Sequence, residues 1–431
     1  MGIFLHSAFT KFIDLIFSVI ITILLIKFFG SLIFGIYQYN LAFTLFLGVF
    51  VIFNNVGEVY FKKEKNKLLV TSISINLLIY SVIYYFIIFF LNKLDPNIKI
   101  DLVSLLVIDL FLNTQIGLIG IYLIAKNHYT IINLYLIILR IIQVLIIISL
   151  YFSDYINLES FKIYLLMILI FKTIFFIYLL LRYKFFQIKF LPNFKEIFLY
   201  IYRSDYRKIY IPRSLTAISG FIKQFVPIYF VGYFIDISTV TVVKVIIQSY
   251  ELGIKFMHSI VIRIIPRIND QIENLSLSNL KTIDRIYFFY NFLIVITIFL
   301  ALEKLIIFLN LGQANYYLGI GNFEYFYALS FLISSISYRH YFQLHVKKNH
   351  NFLYLISSSR LATFIIIQPY FLYKFGIHGL AYFYIIDYII NNLIIFNRYS
   401  KFYGKIKLNI YENIIFIIFI LCLVIFGMFS N

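Results

Sequence analysis

The chain has 431 residues, of which 62% are hydrophobic and only 13% are charged. Soluble globular domains are roughly half apolar and a quarter charged, so this excess cannot be buried in the core of a water-soluble protein. The net charge of +18 does not indicate a nucleic-acid partner, because the basic residues are spread over the short gaps between apolar runs. The composition therefore predicts an integral membrane protein that binds no nucleic acid.

The apolar runs have the length of membrane-spanning helices. A helical span needs about 20 mostly apolar residues, whereas a barrel strand alternates apolar and polar residues over about 10 positions. The run 68–91 shows no such alternation. Backbone groups in lipid must be paired within a helix or a closed barrel. The predicted fold class is therefore all-α, a polytopic membrane protein of 12–13 transmembrane helices.

In chain order, the spans are predicted at 8–29, 38–61, 68–91, 101–125, 130–152, 161–183, 211–234, 238–263, 286–309, 320–345, 352–374 and 379–397, with a further apolar run at 410–429. The first run lacks a small-residue cleavage site after it, so we expect it to remain as a span. Many transporters are built from internal repeats. We therefore predict an N-terminal six-helix lobe (1–183), a basic cytoplasmic linker (184–210), a C-terminal six-helix lobe (211–398) and a basic segment with an extra apolar helix (399–431). The two lobes are expected to surround a central cavity.

The distribution of basic residues predicts the orientation. If the N-terminus is cytoplasmic, 25 Lys and Arg residues lie in cytoplasmic segments and only four lie on the opposite side. Cytoplasmic loops of membrane proteins carry this excess of Lys and Arg. We therefore expect a multi-pass protein of the cytoplasmic (inner) membrane with its N-terminus inside. The predicted outward loops are short, the longest covering about 309–321.

The charged residues inside the predicted spans include Lys27, Arg140, Lys162, Lys172, Lys223, Lys244, Lys255, Arg360, Asp14, Glu58, Asp109, Glu251 and Asp387. A charge at the bilayer centre costs at least ~2.5–3.5 kcal/mol on insertion scales, so such side chains face the protein interior or a water-filled cavity. Lys27 and Lys162 lie near span ends, where their amines can reach the membrane surface. Three basic residues lie near the middle of their spans: Arg140, Lys172 and Lys223. Each could either line a cavity or form an interhelical ion pair.

Polar residues recur on single faces of four predicted spans. These stripes are Lys244, Gln248, Glu251, Lys255 and His258; Asn133, Arg140 and Gln143; Thr216, Lys223 and Pro227; and Lys11, Asp14, Ser18 and Thr22. One stripe could be a packing seam between helices, but four on both lobes favour a shared hydrophilic lumen. Because this lumen is more basic than acidic, it favours an anionic substrate such as a phosphate or pyrophosphate headgroup. The predicted substrate-binding residues are Arg140, Lys172, Lys223, Lys244, Gln248, Glu251, Lys255 and Arg360.

Signatures of catalysis and of cofactors are missing from the sequence. There is no G-x-x-x-x-G-K-[ST] loop for nucleotide phosphates. The single cysteine, Cys422, excludes an internal disulfide and a multi-cysteine metal site. His340, His345 and His350 lack the spacing of a helical metal site. We expect no catalytic residue, no metal and no organic cofactor, and hence no enzyme.

Several segments resemble the polysaccharide transporter branch, the O-antigen flippase type, of the multidrug/oligosaccharidyl-lipid/polysaccharide (MOP) exporter superfamily. The matching segments are Phe29-Gly30 and Phe34-Gly35-Ile36-Tyr37 at the first hairpin, Asn54-Asn55-Val56-Gly57, Pro212, Val231-Gly232-Tyr233, Pro266-Arg267, and the run from Lys374 to Ala381. The last run looks like the family's hairpin between the eleventh and twelfth spans. The run 410–429 departs from the usual twelve or fourteen spans.

The resemblance implies a flippase that moves undecaprenyl-diphosphate-linked oligosaccharide repeat units across the membrane for surface polysaccharide (O-antigen or capsule) biosynthesis. In such a protein a cationic cavity accepts the diphosphate, and two lobes alternate between inward- and outward-open states. The resemblance is compatible with coupling to a proton or sodium gradient, for which Asp14, Asp109, Glu251 and Asp387 are candidates by position. Polysaccharide polymerase and chain-length proteins are the expected partners.

Two other functions compete with this one. A drug or metabolite exporter of the same superfamily would usually have a more acidic or neutral lumen, because many of its substrates are organic cations. An oligosaccharide polymerase or lipid-linked glycosyltransferase generally carries a large extracytoplasmic loop with essential charges, and the outward loops predicted here are short.

Overall fold

The computed structural model describes residues 2–47, 79–84, 97–125, 128–153, 156–183, 222, 225–250, 289, 293, 295–298, 300–302, 304–309, 314–335 and 350–403. These residues are almost entirely helical, and no strand occurs among them. The main helices are α1 (Gly2–Leu47), α2 (Ile100–Ala125), α3 (Tyr129–Phe152), α4 (Leu158–Arg182), α5 (Phe225–Phe234), α6 (Ile237–Tyr250), α7 (Ala314–Ser335), α8 (His350–Ala362) and α9 (Gln368–Tyr403). A π-helical turn, Thr363–Ile367, joins α8 to α9. The all-α prediction is confirmed.

Five helical stretches in the described part of the chain are long and apolar enough to cross a membrane: Ile16–Leu45, Ile100–Gly120, Thr130–Phe152, Leu158–Arg182 and Ser358–Arg398. Large apolar side chains are exposed along α3 and α4, including Leu134, Leu145, Leu166, Ile170 and Ile174. Water would make such continuous apolar faces unfavourable, whereas lipid tails cover them. The chain is a polytopic membrane protein. The predicted run 410–429 lies outside the described residues.

The structure divides into two compact units, Met1–Tyr229 and Phe230–Asn431. In the N-terminal unit, α1 packs on α3 and α2, and α4 packs on α2 and α3. A cluster that includes Tyr39, Phe43, Tyr80 and Val107 forms an apolar core in this unit. In the C-terminal unit, α7 packs against α9, and α8 packs against the π-turn and α9. The predicted linker 184–210 lies among residues that the structure does not describe.

Helix α1 contains the first predicted hairpin. Gly30 has φ 83° and ψ 163°, a conformation that only glycine adopts readily. Before it, Phe28 stacks on Tyr151 near the C-terminal end of α3. After it, the side chain of Asn40 accepts a hydrogen bond from the backbone N–H of Lys99, just before α2. Since α2 begins and α3 ends at the same end of an antiparallel helix pair, the chain turns back on itself at Gly30.

The second hairpin reverses the chain at Gly376 in α9, where φ is 58° and ψ is −141°. The helical segments on either side of this glycine pack against each other. Phe364 in the first segment contacts Phe383 in the second edge-on, with ring centroids 4.7 Å apart. The two legs touch at Gly379, where an added Cβ atom would lie 2.0 Å from the carbonyl oxygen of Phe371. Only a residue without a side chain permits this approach.

We therefore expect Gly379→Ala to lower the thermal stability and membrane abundance of the protein. The added methyl must push two backbone segments apart, and overpacking of this kind costs about 1–3 kcal/mol. Gly117→Ala is the matched control, because a Cβ atom at Gly117 in α2 meets nothing within 4 Å. Its expected effect is neutral to slightly stabilising, since Ala favours a helix more than Gly does. Equal abundance and melting midpoints for both variants would contradict the close approach.

Candidate functional site

Two ion pairs lie between the helices of the N-terminal unit. Arg140 on α3 donates from Nε to the Oδ1 atom of Asp14 on α1 at 2.7 Å. Lys172 on α4 donates from Nζ to the Oδ1 atom of Asp109 on α2 at 2.6 Å. The four charged groups thus come from four different helices, and each cation has a carboxylate partner. Of the two readings that the sequence left open, an interhelical ion pair describes Arg140 and Lys172.

Uncharged polar groups extend both ion pairs. Arg140 also donates from Nη1 to the side-chain oxygen of Gln143 at 3.0 Å. The Asn113 amide donates to the second carboxylate oxygen of Asp109 at 2.9 Å. Gln143 in turn hydrogen-bonds the hydroxyl of Tyr164 on α4. Donors and acceptors therefore alternate across the interior of this unit.

Three tyrosines surround the ion pairs. The hydroxyls of Tyr37, Tyr135 and Tyr164 lie within range of the charges of Asp109 and Arg140. The Tyr135 ring stacks on Phe175 with centroids 3.9 Å apart. Within the described ranges, its buried hydroxyl has no hydrogen-bond partner. We call the four ion-pair residues with Asn113, Gln143, Tyr37, Tyr135 and Tyr164 the N-terminal polar cluster.

The register of α4 brings its members of the cluster inward. The buried face of α4 contains Phe161, Tyr164, Leu165, Ile168 and Lys172, which follow one another at helical spacing. Lys172 therefore lies on the face that the apolar residues bury, where only 6% of its side chain is exposed, whereas its partner Asp109 retains 23%. The Asp14–Arg140 pair is more open, with 34% and 24% exposed.

A second polar group lies in the C-terminal unit around Asp387, whose side chain is only 1% exposed. The hydroxyl of Thr363 is 3.3 Å from its Oδ1 atom. The Nε atom of Arg360 is 4.0 Å from its Oδ2 atom, which is too far for a hydrogen bond. The amide of Asn391 donates to the backbone carbonyl of Asp387 at 2.6 Å.

The π-turn explains how this part of the chain faces inward. Phe352, Ile356, Phe364, Gln368 and Leu372 are all buried and are separated by multiples of four residues. An α-helix has 3.6 residues per turn, so residues spaced four apart do not stay on one face. Each successive residue of the series is rotated further around the helix axis, which we call the drift of the series. A π-turn is wider, and the Gln368 N–H donates to the carbonyl of Thr363 across it. This wider turn absorbs part of the drift, so both halves of the series stay on one buried face.

The remaining predicted site residues are placed as follows. Lys244 and Gln248 lie partly buried on α6, and each has interaction partners. Lys223, Glu251 and Lys255 lie outside the described residues, so their part in a common lumen stays a prediction. The first- and fifth-span stripes do meet, since Asp14 pairs with Arg140. Asp109 forms its ion pair with Lys172.

Several residues of the N-terminal polar cluster and of the polar group around Asp387 were absent from the predicted site. Asn113 lies four residues after Asp109 and therefore on the same helical face, a spacing that could have identified it. No comparable sequence pattern distinguishes Tyr37, Tyr135 and Tyr164 from the other tyrosines, because the chain contains 38 of them. Thr363 faces Asp387 only because of the hairpin at Gly376.

Comparison with known proteins identifies the fold. No protein-family model and no curated protein matches the chain. Solved structures do match over almost its whole length. A MATE-family multidrug resistance transporter of the MOP superfamily in an inward-facing conformation is 13% identical, covering 90% of this chain and 95% of its own, with a TM-score of 0.64.

Two further solved structures have a similar fold. An outward-facing MATE-family multidrug resistance transporter of the same superfamily is 13% identical over 93% of this chain and 95% of its own, with a TM-score of 0.58. A MATE protein in complex with MaD5 is 14% identical over 93% of this chain and 96% of its own, with a TM-score of 0.56. At these identities the likeness concerns the fold. The chain has the polytopic helical fold of the MATE transporters of the MOP superfamily.

Proposed function

We propose that the protein is a flippase that moves a diphosphate-linked oligosaccharide lipid, of the undecaprenyl-diphosphate type, across the cytoplasmic membrane by alternating access. The observation that carries this proposal is the MATE-like fold over 90% of the chain, combined with charged side chains kept inside the bundle. Intramembrane charges are expensive, so their retention favours a transport function over a passive scaffold.

The choice of a glycan lipid over other cargo rests on the sequence resemblance to the polysaccharide transporter branch. The segments that resemble the polysaccharide transporter branch include Phe29-Gly30 and the run from Lys374 to Ala381. Both contain a glycine at positive φ where the chain reverses direction. The hairpin geometry therefore requires glycine at Gly30 and Gly376.

Ion coupling is part of the proposal. Asp14, Asp109 and Asp387 are the candidate carboxylates among the described residues, and a proton or sodium gradient would supply the driving force. Asp387 is the most buried of the three. The diphosphate is assigned to those basic residues of the predicted lumen that lie outside the Arg140–Asp14 and Lys172–Asp109 pairs.

A small-molecule exporter is the second candidate, because the similar structures include multidrug resistance transporters. Asp14 and Asp109, however, are already paired with Arg140 and Lys172 at 2.7 and 2.6 Å. Neither of these two carboxylates is therefore available to an organic cation while its ion pair persists.

The two functions can be separated in cells from which the gene is deleted. A flippase deletion should abolish the surface glycan and accumulate the lipid-linked oligosaccharide in the inner leaflet, and the intact gene should restore both. Susceptibility to cationic dyes such as ethidium should not change. Normal surface glycan together with increased dye susceptibility would favour the exporter and contradict the proposal.

A further inference from the structure

The N-terminal polar cluster has no net charge of its own. Arg140 and Lys172 contribute two positive charges, and Asp14 and Asp109, each within 2.7 Å of one cation, contribute two negative ones. The sequence alone suggested a cationic lumen at these positions. Tertiary pairing makes this part of the interior charge-balanced.

Charge balance decides which ligand chemistry the cluster can accept. The oxygens of an ionised diphosphate are acceptors only, as are the carboxylates of Asp14 and Asp109. A diphosphate that accepted from the remaining N–H groups of Arg140 or Lys172 would lie beside the carboxylates of Asp14 and Asp109, and like charges repel strongly at low dielectric. A sugar hydroxyl both donates and accepts. It can donate to a carboxylate and accept from Arg140 or Lys172 while both ion pairs persist.

The cluster also presents groups that a hydroxyl-bearing ligand would satisfy. The Tyr135 hydroxyl lies on a residue only 4% exposed and has no hydrogen-bond partner among the described residues. Burial of such a group without a partner is costly. The side chains of Asp14, Arg140 and Asp109 remain 34%, 24% and 23% exposed, so the cluster is not sealed. Asn113 is exposed beside Asp109.

We propose that the N-terminal polar cluster is a subsite for the uncharged, hydroxyl-rich sugars of the cargo, and that the diphosphate binds elsewhere. This inference rests on the proposed function and assigns one part of the substrate to one part of the chain. Tyr135 and Asn113 contact the sugar, and the two ion pairs supply charged donors and acceptors for its hydroxyls.

The test uses two lipids that share the undecaprenyl diphosphate, of which only one bears the glycan. The full chain is purified, and its binding is measured with undecaprenyl diphosphate and with the undecaprenyl-diphosphate-linked oligosaccharide extracted from cells lacking the gene. Tyr135→Phe removes one hydroxyl and keeps the ring that stacks on Phe175. Tyr250→Phe is the matched control, because it removes a buried hydroxyl that likewise lacks a hydrogen-bond partner in the described C-terminal unit.

Tyr135→Phe should weaken binding of the glycan-bearing lipid about three- to tenfold, the effect of losing one hydrogen bond between uncharged groups. Its affinity for undecaprenyl diphosphate should stay unchanged, and Tyr250→Phe should leave both affinities unchanged. Asn113→Ala should behave like Tyr135→Phe.

Three results would overturn the inference. If Tyr135→Phe and Asn113→Ala weaken both lipids equally, the cluster serves the diphosphate or the fold, and the flippase proposal survives. If both variants bind both lipids as the unaltered chain does, the cluster contacts neither part, and the flippase proposal again survives. If the unaltered chain binds neither lipid, the flippase proposal fails and the glycan subsite fails with it.

Discussion

Lys172→Met is expected to reduce membrane abundance and the thermal midpoint strongly, and Asp109→Asn combined with Lys172→Met is expected to restore both. The single substitution leaves the Asp109 carboxylate in the bundle interior without the cation that lies 2.6 Å away. Removing one partner of a buried ion pair costs about 3–5 kcal/mol, whereas removing both charges together is often nearly neutral. Quantitative immunoblotting of membranes and thermal denaturation in detergent measure the two quantities.

Lys162→Met provides the matched control. Lys162 on α4 also pairs with carboxylates, Asp101 at 3.3 Å and Glu159 at 2.8 Å, but these are 80% and 72% exposed. Exposed pairs contribute about 0–1 kcal/mol, so this variant should retain normal abundance. Normal abundance of Lys172→Met would show that Asp109 finds another partner and would refute the buried-pair assignment.

The stable double variant then separates a structural pair from a functional one. If Lys172 and Asp109 serve only to hold α2 against α4, glycan export should recover together with protein abundance. If they also orient sugar hydroxyls, export should remain at least about tenfold below that of the unaltered chain, because charged hydrogen bonds are lost. Full export by the double variant would remove this pair from the proposed subsite.

Arg140→Ala is expected to impair glycan export at least about tenfold and to lower abundance less than Lys172→Met does. The smaller loss of abundance follows from the lower burial of this pair, in which Asp14 is 34% and Arg140 24% exposed. Insertion itself should not suffer, since a costly intramembrane charge is gone. The measurements are surface glycan and protein level in cells complemented with each variant.

Two companion variants sharpen this prediction. Arg140→Lys should restore part of the export, because a lysine keeps the charge beside Asp14 but loses the guanidinium fork that contacts both Asp14 and Gln143. Asp14→Ala combined with Arg140→Ala should return abundance to normal and leave export impaired. Full export by Arg140→Ala at normal abundance would count against any transport role of this pair.

The sequence by itself determined the class of the protein and the outlines of its spans. The predicted spans 101–125 and 130–152 agree within one residue with α2 (Ile100–Ala125) and α3 (Tyr129–Phe152). This agreement has a physical cause, since lipid forces each backbone segment to form a helix of span length and polar residues mark its ends. The glycines of both hairpins were also visible, because only glycine tolerates the required dihedral angles.

Only the tertiary structure decided which charges meet. The spacing along one helix places Arg140 and Gln143 on a common face, but it carries no information on whether Asp14 or Asp109 lies opposite. That choice depends on how α1, α2, α3 and α4 pack around one interior, with α1 against α3 and α2 against α4. Counting intramembrane charges suggested a basic lumen, whereas packing pairs Arg140 and Lys172 with acids from distant segments. Electrostatic character is a property of neighbours in space, so it follows from the packing and not from the composition of any single span.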